Sequence, residues 1–190
     1  MDCRGFYLGA AMAKKFPATG RTRLLDIAGG SGIYACSIVA HHPHLAATVF
    51  ERPPVDDIAR RMIDQRGYTG RVAVVAGDMF TNALPVGHDV HLFSNVLHDW
   101  DVEKVRPLLA ASFAALPPGG LLAIHDAHLH ADKTGPLPVA AYSALLMSVT
   151  EGKCYSTAEM ESLLTAAGFH DFHFALTAAD RSLLTALKPA

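Results

Sequence analysis

Short apolar runs alternate with longer amphipathic stretches along most of the chain, and this rhythm predicts its architecture. Runs of four to six apolar residues, bounded by glycine, proline and polar residues, read as strands near 23–28, 47–51, 71–76, 88–93 and 120–126. Helical patterns near 32–42, 54–66 and 101–115 separate them, which is the order of a parallel sheet covered on both faces. Asp101 stands where an N-cap belongs, and Pro117-Pro118-Gly119-Gly120 ends that helix. The rhythm then changes. Two helices near 137–149 and 156–166, the second opened by Ser156 with Glu159 in capping-box spacing, precede strands at 170–176 and 182–187. Strands so close together pair as a hairpin, so the last one is expected to run antiparallel to the rest. The segment Lys14 to Arg23 is a polar lead into the first strand. Residues 1–20 are expected to be a helical linker and 21–190 a single α/β domain.

Composition narrows the class of function. The 190 residues suffice for one domain with a substantial core, and 51% hydrophobic against 18% charged residues suits a compact α/β protein. A formal net charge of −2 supplies no general attraction to nucleic acid or to a membrane surface. Cys3, Cys36 and Cys154 are widely spaced and contain no C-x-x-C pair, so a disulfide framework and a zinc knuckle are both disfavoured. A reducing cytoplasm is the expected home. No run approaches the ~20 apolar residues of a membrane span, and the first residues lack the order of a signal peptide.

The densest chemical signal is Leu24-Leu25-Asp26-Ile27-Ala28-Gly29-Gly30-Ser31-Gly32. A strand enters a glycine turn that opens a helix, so the backbone can approach a ligand closely beside the unpaired N–H groups of the helix end. Glu51 ends the next apolar run, about where a carboxylate takes ribose hydroxyls in doubly wound folds, and Gly77-Asp78-Met79-Phe80 adds a third acidic turn. The alternating Asp26-x-Ala28-x-Gly30-x-Gly32 differs from the G-x-G-x-x-G spacing of dinucleotide sites. It resembles the S-adenosylmethionine turn, which usually has glycine where Ala28 stands.

Val96-Leu97-His98-Asp99-Trp100 is more specific still. It resembles the small-molecule O-methyltransferases of the plant caffeate and animal acetylserotonin type. Phe50-Glu51-Arg52-Pro53, Gly77-Asp78-Met79-Phe80, Pro118-Gly119-Gly120, Glu151-Gly152-Lys153 and Ala166-Ala167-Gly168-Phe169 occur in that family's order. The resemblance implies a class I methyltransferase fold, Rossmann-like, with seven strands that are mostly parallel and end in an antiparallel hairpin. It covers the family's catalytic domain and not its helical N-terminal domain. The acceptor pocket is therefore expected to be completed by a separate N-terminal domain or subunit, or by self-association.

The resemblance also assigns roles. Cofactor contacts fall to Asp26, Ala28, Gly30, Gly32, Glu51, Gly77, Asp78, Met79 and Asn95, with S-adenosyl-L-methionine as the methyl donor. His98 is the general base for a phenolic hydroxyl, whose pKa near 10 leaves it protonated and weakly nucleophilic at neutral pH. The two carboxylates that support the base in the family map to Asp126 and to Cys154, and Cys154 cannot replace a carboxylate at its reference pKa of about 8.5. The basic residue often found ahead of the V-L-H-D-W segment is replaced by Ser94-Asn95, which makes contact with the donor's carboxylate uncharged. Asp99 either touches the acceptor or caps the following helix. Tyr142, Leu145, Leu146, Met147 and Val149 are expected on the pocket side of the 137–149 helix, so the acceptor is a small, rather apolar aromatic molecule.

Eleven histidines raise the possibility of a metal site. Asp126, His128 and His130 would share one face of an extended strand, but the strand is expected to end there, and His128 to Lys133 reads as a polar exit loop. Solvated histidines and no metal are the expectation. His41, His42 and His44 fit a helix C-terminus, whose partial negative charge favours cations. A different class of function remains open, a non-catalytic module that binds S-adenosylmethionine or its product and regulates or scaffolds a partner. The retained His98 favours the enzyme; a nicotinamide dehydrogenase is disfavoured by the glycine spacing.

Overall fold

The computed structural model describes residues 2–190. Seven strands form one sheet in the order β3-β2-β1-β4-β5-β7-β6. They are β1 (Arg23–Ile27), β2 (Ala46–Glu51), β3 (Val72–Ala76), β4 (Val90–Ser94), β5 (Leu121–Asp126), β6 (His170–Leu176) and β7 (Ser182–Leu187). β1 to β5 are mutually parallel, and β7 enters antiparallel between β5 and β6. This is the expected α/β sheet with its final hairpin, and each strand lies within two residues of its expected limits. β4 and β5 are buried at every position, including the polar His91, Ser94, His125 and Asp126.

The helices are α1 (Asp2–Lys15), α2 (Ile33–His41), α3 (Val55–Gln65), α4 (Val102–Ala115), α5 (Leu137–Val149) and α6 (Thr157–Ala167). α1, α2 and α3 contribute to the core on one face of the sheet, and α4 and α6 to that on the other. The caps are local. Asp101 accepts the Lys104 N–H at 3.0 Å, while Ser156 and Glu159 form a reciprocal capping box. α1 sends Leu8, Met12 and Ala13 into the first core. Its Gly5 and Gly9 lie against Ile33 and Ser37 of α2, too near for side chains at either position.

The histidines depart from expectation. His128 is not in a solvated loop but buried, with Nδ1 2.8 Å from Ser182 Oγ. His88, His91 and His125 are buried as well. Each finds a hydroxyl partner, because β4, β5 and their neighbours place threonine or serine opposite them: Thr48 for His88, Ser112 for His91, and Ser94 with Thr177 for His125. His42 and His44 bond the carbonyls of Ala13 and Ala18, joining the end of α2 to the N-terminal segment. Among the described residues no group of three or more His, Cys, Asp or Glu could hold a metal ion, and no helix is long and apolar enough to cross a membrane.

Candidate functional site

The strand order reverses between β1 and β4, and the carboxyl ends of strands at such a point diverge to leave a crevice. A cavity of about 300 Å³ opens there. Its walls include Ala28, Glu51, Gly77, Asp78, Met79, Asn95 and Asp99, which the sequence singles out, together with Phe50, Arg52, Phe80, Val96 and Trp100, which it does not. Phe80 and Trp100, both in the cavity wall, meet edge to face at 4.7 Å between ring centres. Both lie inside recognised motifs, so adjacency to Asp78 and His98 was the available signal for them.

The turn after β1 is built for close approach. Ala28 adopts φ +53°, a left-handed conformation that explains why glycine is usual at this position. Gly30 and Gly32 also have positive φ. Glu51 ends β2 facing this turn and is itself held in place: Oε2 accepts the Gly30 N–H at 2.9 Å and Oε1 the Arg52 N–H at 2.8 Å. Each oxygen keeps a lone pair for a hydroxyl. Asp78 accepts the Phe80 N–H at 2.8 Å, so it is a turn-former as well as a cavity residue. Asp26 lies behind the wall, fully buried beneath Gly29 with neither carboxyl oxygen hydrogen-bonded. Burial outweighs the nearby Ala35 amide and, with the charge of Glu51, lifts its pKa to about 7.

His98 sits on a single 3-10 turn, Leu97–Asp99, which follows β4 directly. Asn95, at φ +54°, bends the chain out of the strand to start it. His98 is 5% exposed, and its Nδ1 lies 2.5 Å from Asp126 Oδ1 at the end of β5. Asp126 also accepts the Ala127 N–H, and Asp99 approaches the opposite ring nitrogen, Nε2, at 3.5 Å. Burial disfavours the imidazolium, but the charge and hydrogen bond of Asp126, helped by Asp99, more than offset it and raise the His98 pKa. The Asp126 carboxyl is held below the usual carboxylate range: burial opposes ionisation, and the charge and hydrogen bond of His98 outweigh it. Asp99 shifts the other way, upward, through burial and the charge of Asp126. Gly152 packs against the His98 carbonyl and the Trp100 amide, where a side chain would push the turn away.

The expected acceptor residues divide. Tyr142 packs its ring edge-on against His98 at 5.7 Å, and Leu146 is buried beneath it. Leu145 and Val149 are exposed, and Met147 overhangs a separate crevice with Val102, Glu151, Lys153 and Tyr155. A 3.6-residue period cannot turn all five toward one pocket. Cys154 is fully buried among Ala127, Val139 and Leu146. Burial, with the charge of Asp126, pushes its thiol up to about 12, so it remains neutral and contributes packing. Arg181, which the sequence did not single out, is 2% exposed and lies between Asn95 and Tyr142.

This donor set suits an adenosyl sulfonium. Glu51 offers acceptors for a ribose diol, Phe50, Met79 and Phe80 offer apolar surface for a purine, and His98 with Asp126 stands beside the same crevice. Residues 8–170 match the family model of the O-methyltransferase domain. The chain is 38% identical over 157 residues to 3-hydroxy-5-methyl-1-naphthoate 3-O-methyltransferase of Streptomyces sahachiroi, covering 83% of this chain and 46% of that enzyme. Among solved structures, an O-methyltransferase family 2 protein of Planctomyces limnophilus in complex with apigenin superposes with a TM-score of 0.92 at 37% identity, over 98% of this chain and 59% of that one. Human N-acetylserotonin methyltransferase in complex with S-adenosylmethionine gives 0.89 at 29% identity, over 96% and 52%. The chain spans about half the length of the curated relatives it matches.

Proposed function

The chain belongs to the O-methyltransferase family, and we propose that it moves the methyl group of S-adenosyl-L-methionine to a hydroxyl of a small aromatic, phenolic acceptor. The single observation that carries this reading is the buried His98–Asp126 pair beside the cavity. With Nδ1 engaged by Asp126, Nε2 of the neutral ring takes the acceptor proton as the nucleophile forms, and Asp126 stabilises the resulting imidazolium. S-adenosylmethionine supplies an electrophilic methyl group on a sulfonium. Glu51 holds its ribose, Asp78 and Met79 its adenine, Asn95 with the turn at Ala28, Gly30 and Gly32 its amino-acid end, and Asp26 supports that turn from behind. Tyr142 is the acceptor wall nearest the base.

One carboxylate suffices for the base in this reading, since Cys154 is neutral packing. The exposed Leu137, Leu145, Met147 and Val149 of α5 support its further part, that residues 21–190 are the catalytic unit and a separate domain or second copy completes the acceptor pocket. Three widely spaced cysteines with no C-x-x-C pair suit a reducing cytoplasm. The non-catalytic alternative shares the cofactor site but has no use for a buried His–Asp pair.

His98→Ala should reduce methyl transfer to a phenolic acceptor about 10²–10⁴-fold while S-adenosylhomocysteine binding, measured by calorimetry, stays nearly unchanged. Full turnover by that variant would refute the base, and failure of the unaltered chain to bind S-adenosylhomocysteine would refute the whole reading.

A further inference from the structure

Arg181 is a buried guanidinium that the mechanism above leaves without a task. Burying such a charge costs several kcal/mol unless partners repay it. Two of its three partners lead to the methyl-donor site, and the third is its neighbour Asp180. Nε donates to Asn95 Oδ1 at 3.0 Å, Nη1 pairs with Asp180 Oδ1 at 2.9 Å, and the planar group stacks over the Tyr142 ring at 4.9 Å. It therefore touches one residue of the cofactor wall and one residue packed on His98, from the turn between β6 and β7.

The hydrogen bonds around it form a closed circuit with one consistent direction. Arg181 Nε donates to Asn95, and Asn95 Nδ2 donates to Ser94 Oγ at 3.2 Å and to the Tyr34 hydroxyl at 3.1 Å. The Ser94 hydroxyl donates to His125 Nδ1, and His125 Nε2 donates to Thr177 Oγ1. Thr177 Oγ1 donates in turn to the Arg181 carbonyl at 3.0 Å. This direction requires a neutral His125 carrying its proton on Nε2, and burial holds that ring neutral, with a pKa of about 4. The circuit fixes the Asn95 amide: both N–H bonds point inward, and only a second lone pair on Oδ1 remains to be offered. Asn95 alone therefore has no donor left for an anion. Ser94 and Asn95, both in this circuit, stand just ahead of Val96 where the resemblance leads one to expect a basic residue.

We propose that Arg181 is the positioning cation of the methyl-donor site, locking Asn95 and setting a buried positive charge against the zwitterionic amino-acid end of the donor. The charge that the chain lacks in sequence beside Val96 is supplied in space from 86 residues away. This inference rests on the donor reading of the preceding section.

Two ligands separate positioning from general structural damage. S-adenosylhomocysteine carries the amino-acid end, and 5′-methylthioadenosine shares the adenosyl thioether but lacks that end. Calorimetry on the whole chain should show Arg181→Gln weakening S-adenosylhomocysteine about tenfold, equivalent to ~1.4 kcal/mol, with 5′-methylthioadenosine unchanged within about twofold. Arg181→Lys keeps the charge but not the planar fork that spans Asn95 and Asp180, so its loss should be smaller and confined to the same ligand. If Arg181→Gln lacks a cooperative melt, Arg181→Lys alone decides by the same comparison. Equal weakening of both ligands, or no weakening of either, overturns the proposal. Binding of neither ligand by the unaltered chain overturns the donor reading, and this inference with it.

Discussion

Acidification should act against this fold well above the carboxylate range at two sites, because His91 and His125 are buried as neutral rings. His91 lies inside β4 with Nδ1 on Ser112 and Nε2 unpaired, and burial, reinforced by His88, lowers its pKa to about 3. Burial brings His125 down to about 4. Both imidazoles titrate near 6.5 when unfolded. A group with a depressed folded pKa of this kind gains protons in the unfolded chain first, so stability is present above pH 6.5 and is lost as pH falls toward the folded values. At pH 5 each ring costs about 2 kcal/mol, about 4 together, against a total stability of ~5–15 kcal/mol. His88 and His128, also lowered by burial, act in the same direction. His98 and Asp26 oppose them: the raised His98 pKa gives a contribution that is complete below 6.5 and disappears as pH rises through the folded value, and Asp26, lifted by burial to about 7, is easier to bury once protonated, which returns about 2.5 kcal/mol between pH 7.5 and 5. Urea unfolding followed by circular dichroism at pH 7.5 and 5 is the assay. With a slope of ~2 kcal/mol/M, each ring lowers the pH 5 midpoint by about 1 M relative to that at pH 7.5, and Asp26 raises it by about as much. His91→Gln, which can keep the contact to Ser112, should raise the pH 5 midpoint relative to that at pH 7.5 by about 1 M. A midpoint difference between the two pH values untouched by both His91→Gln and His125→Gln would refute the assignment of neutral buried rings.

Asp126→Asn should both lower activity and move the rising limb of the pH–rate profile, since Asp126 supplies the charge and hydrogen bond that raise the His98 pKa. The rising limb of the pH–rate profile is expected at lower pH, with a plateau reduced about 10²–10⁴-fold by the wrong ring tautomer; a profile that keeps its midpoint would show that another group sets it. Ala28→Gly relieves the left-handed strain at φ +53° but adds backbone freedom to the unfolded chain, so thermal unfolding should show a gain of up to ~1 kcal/mol. A loss of that size would mean the methyl group of Ala28 packs productively.

The sequence by itself determined whatever local rules govern. Strand and helix order follow from the apolar rhythm, the starts of α4 and α6 from Asp101 and from Ser156 with Glu159, and the antiparallel last strand from two strands too close for a crossover. The motif residues Glu51, Asp78 and Asn95 do gather on one cavity, because each ends or follows a parallel strand and all such ends emerge on one edge of the sheet. What only the tertiary structure decided depends on partners distant in the chain. Nothing near Arg181 in sequence marks it as buried or as a partner of Asn95 and Tyr142, which lie on other elements. His128 looks like a loop residue until β7 brings Ser182 to it, and Cys154 has no defined character until Ala127, Val139 and Leu146 close around it. Burial and charge are properties of what surrounds a side chain, and a one-dimensional pattern records only what precedes and follows it.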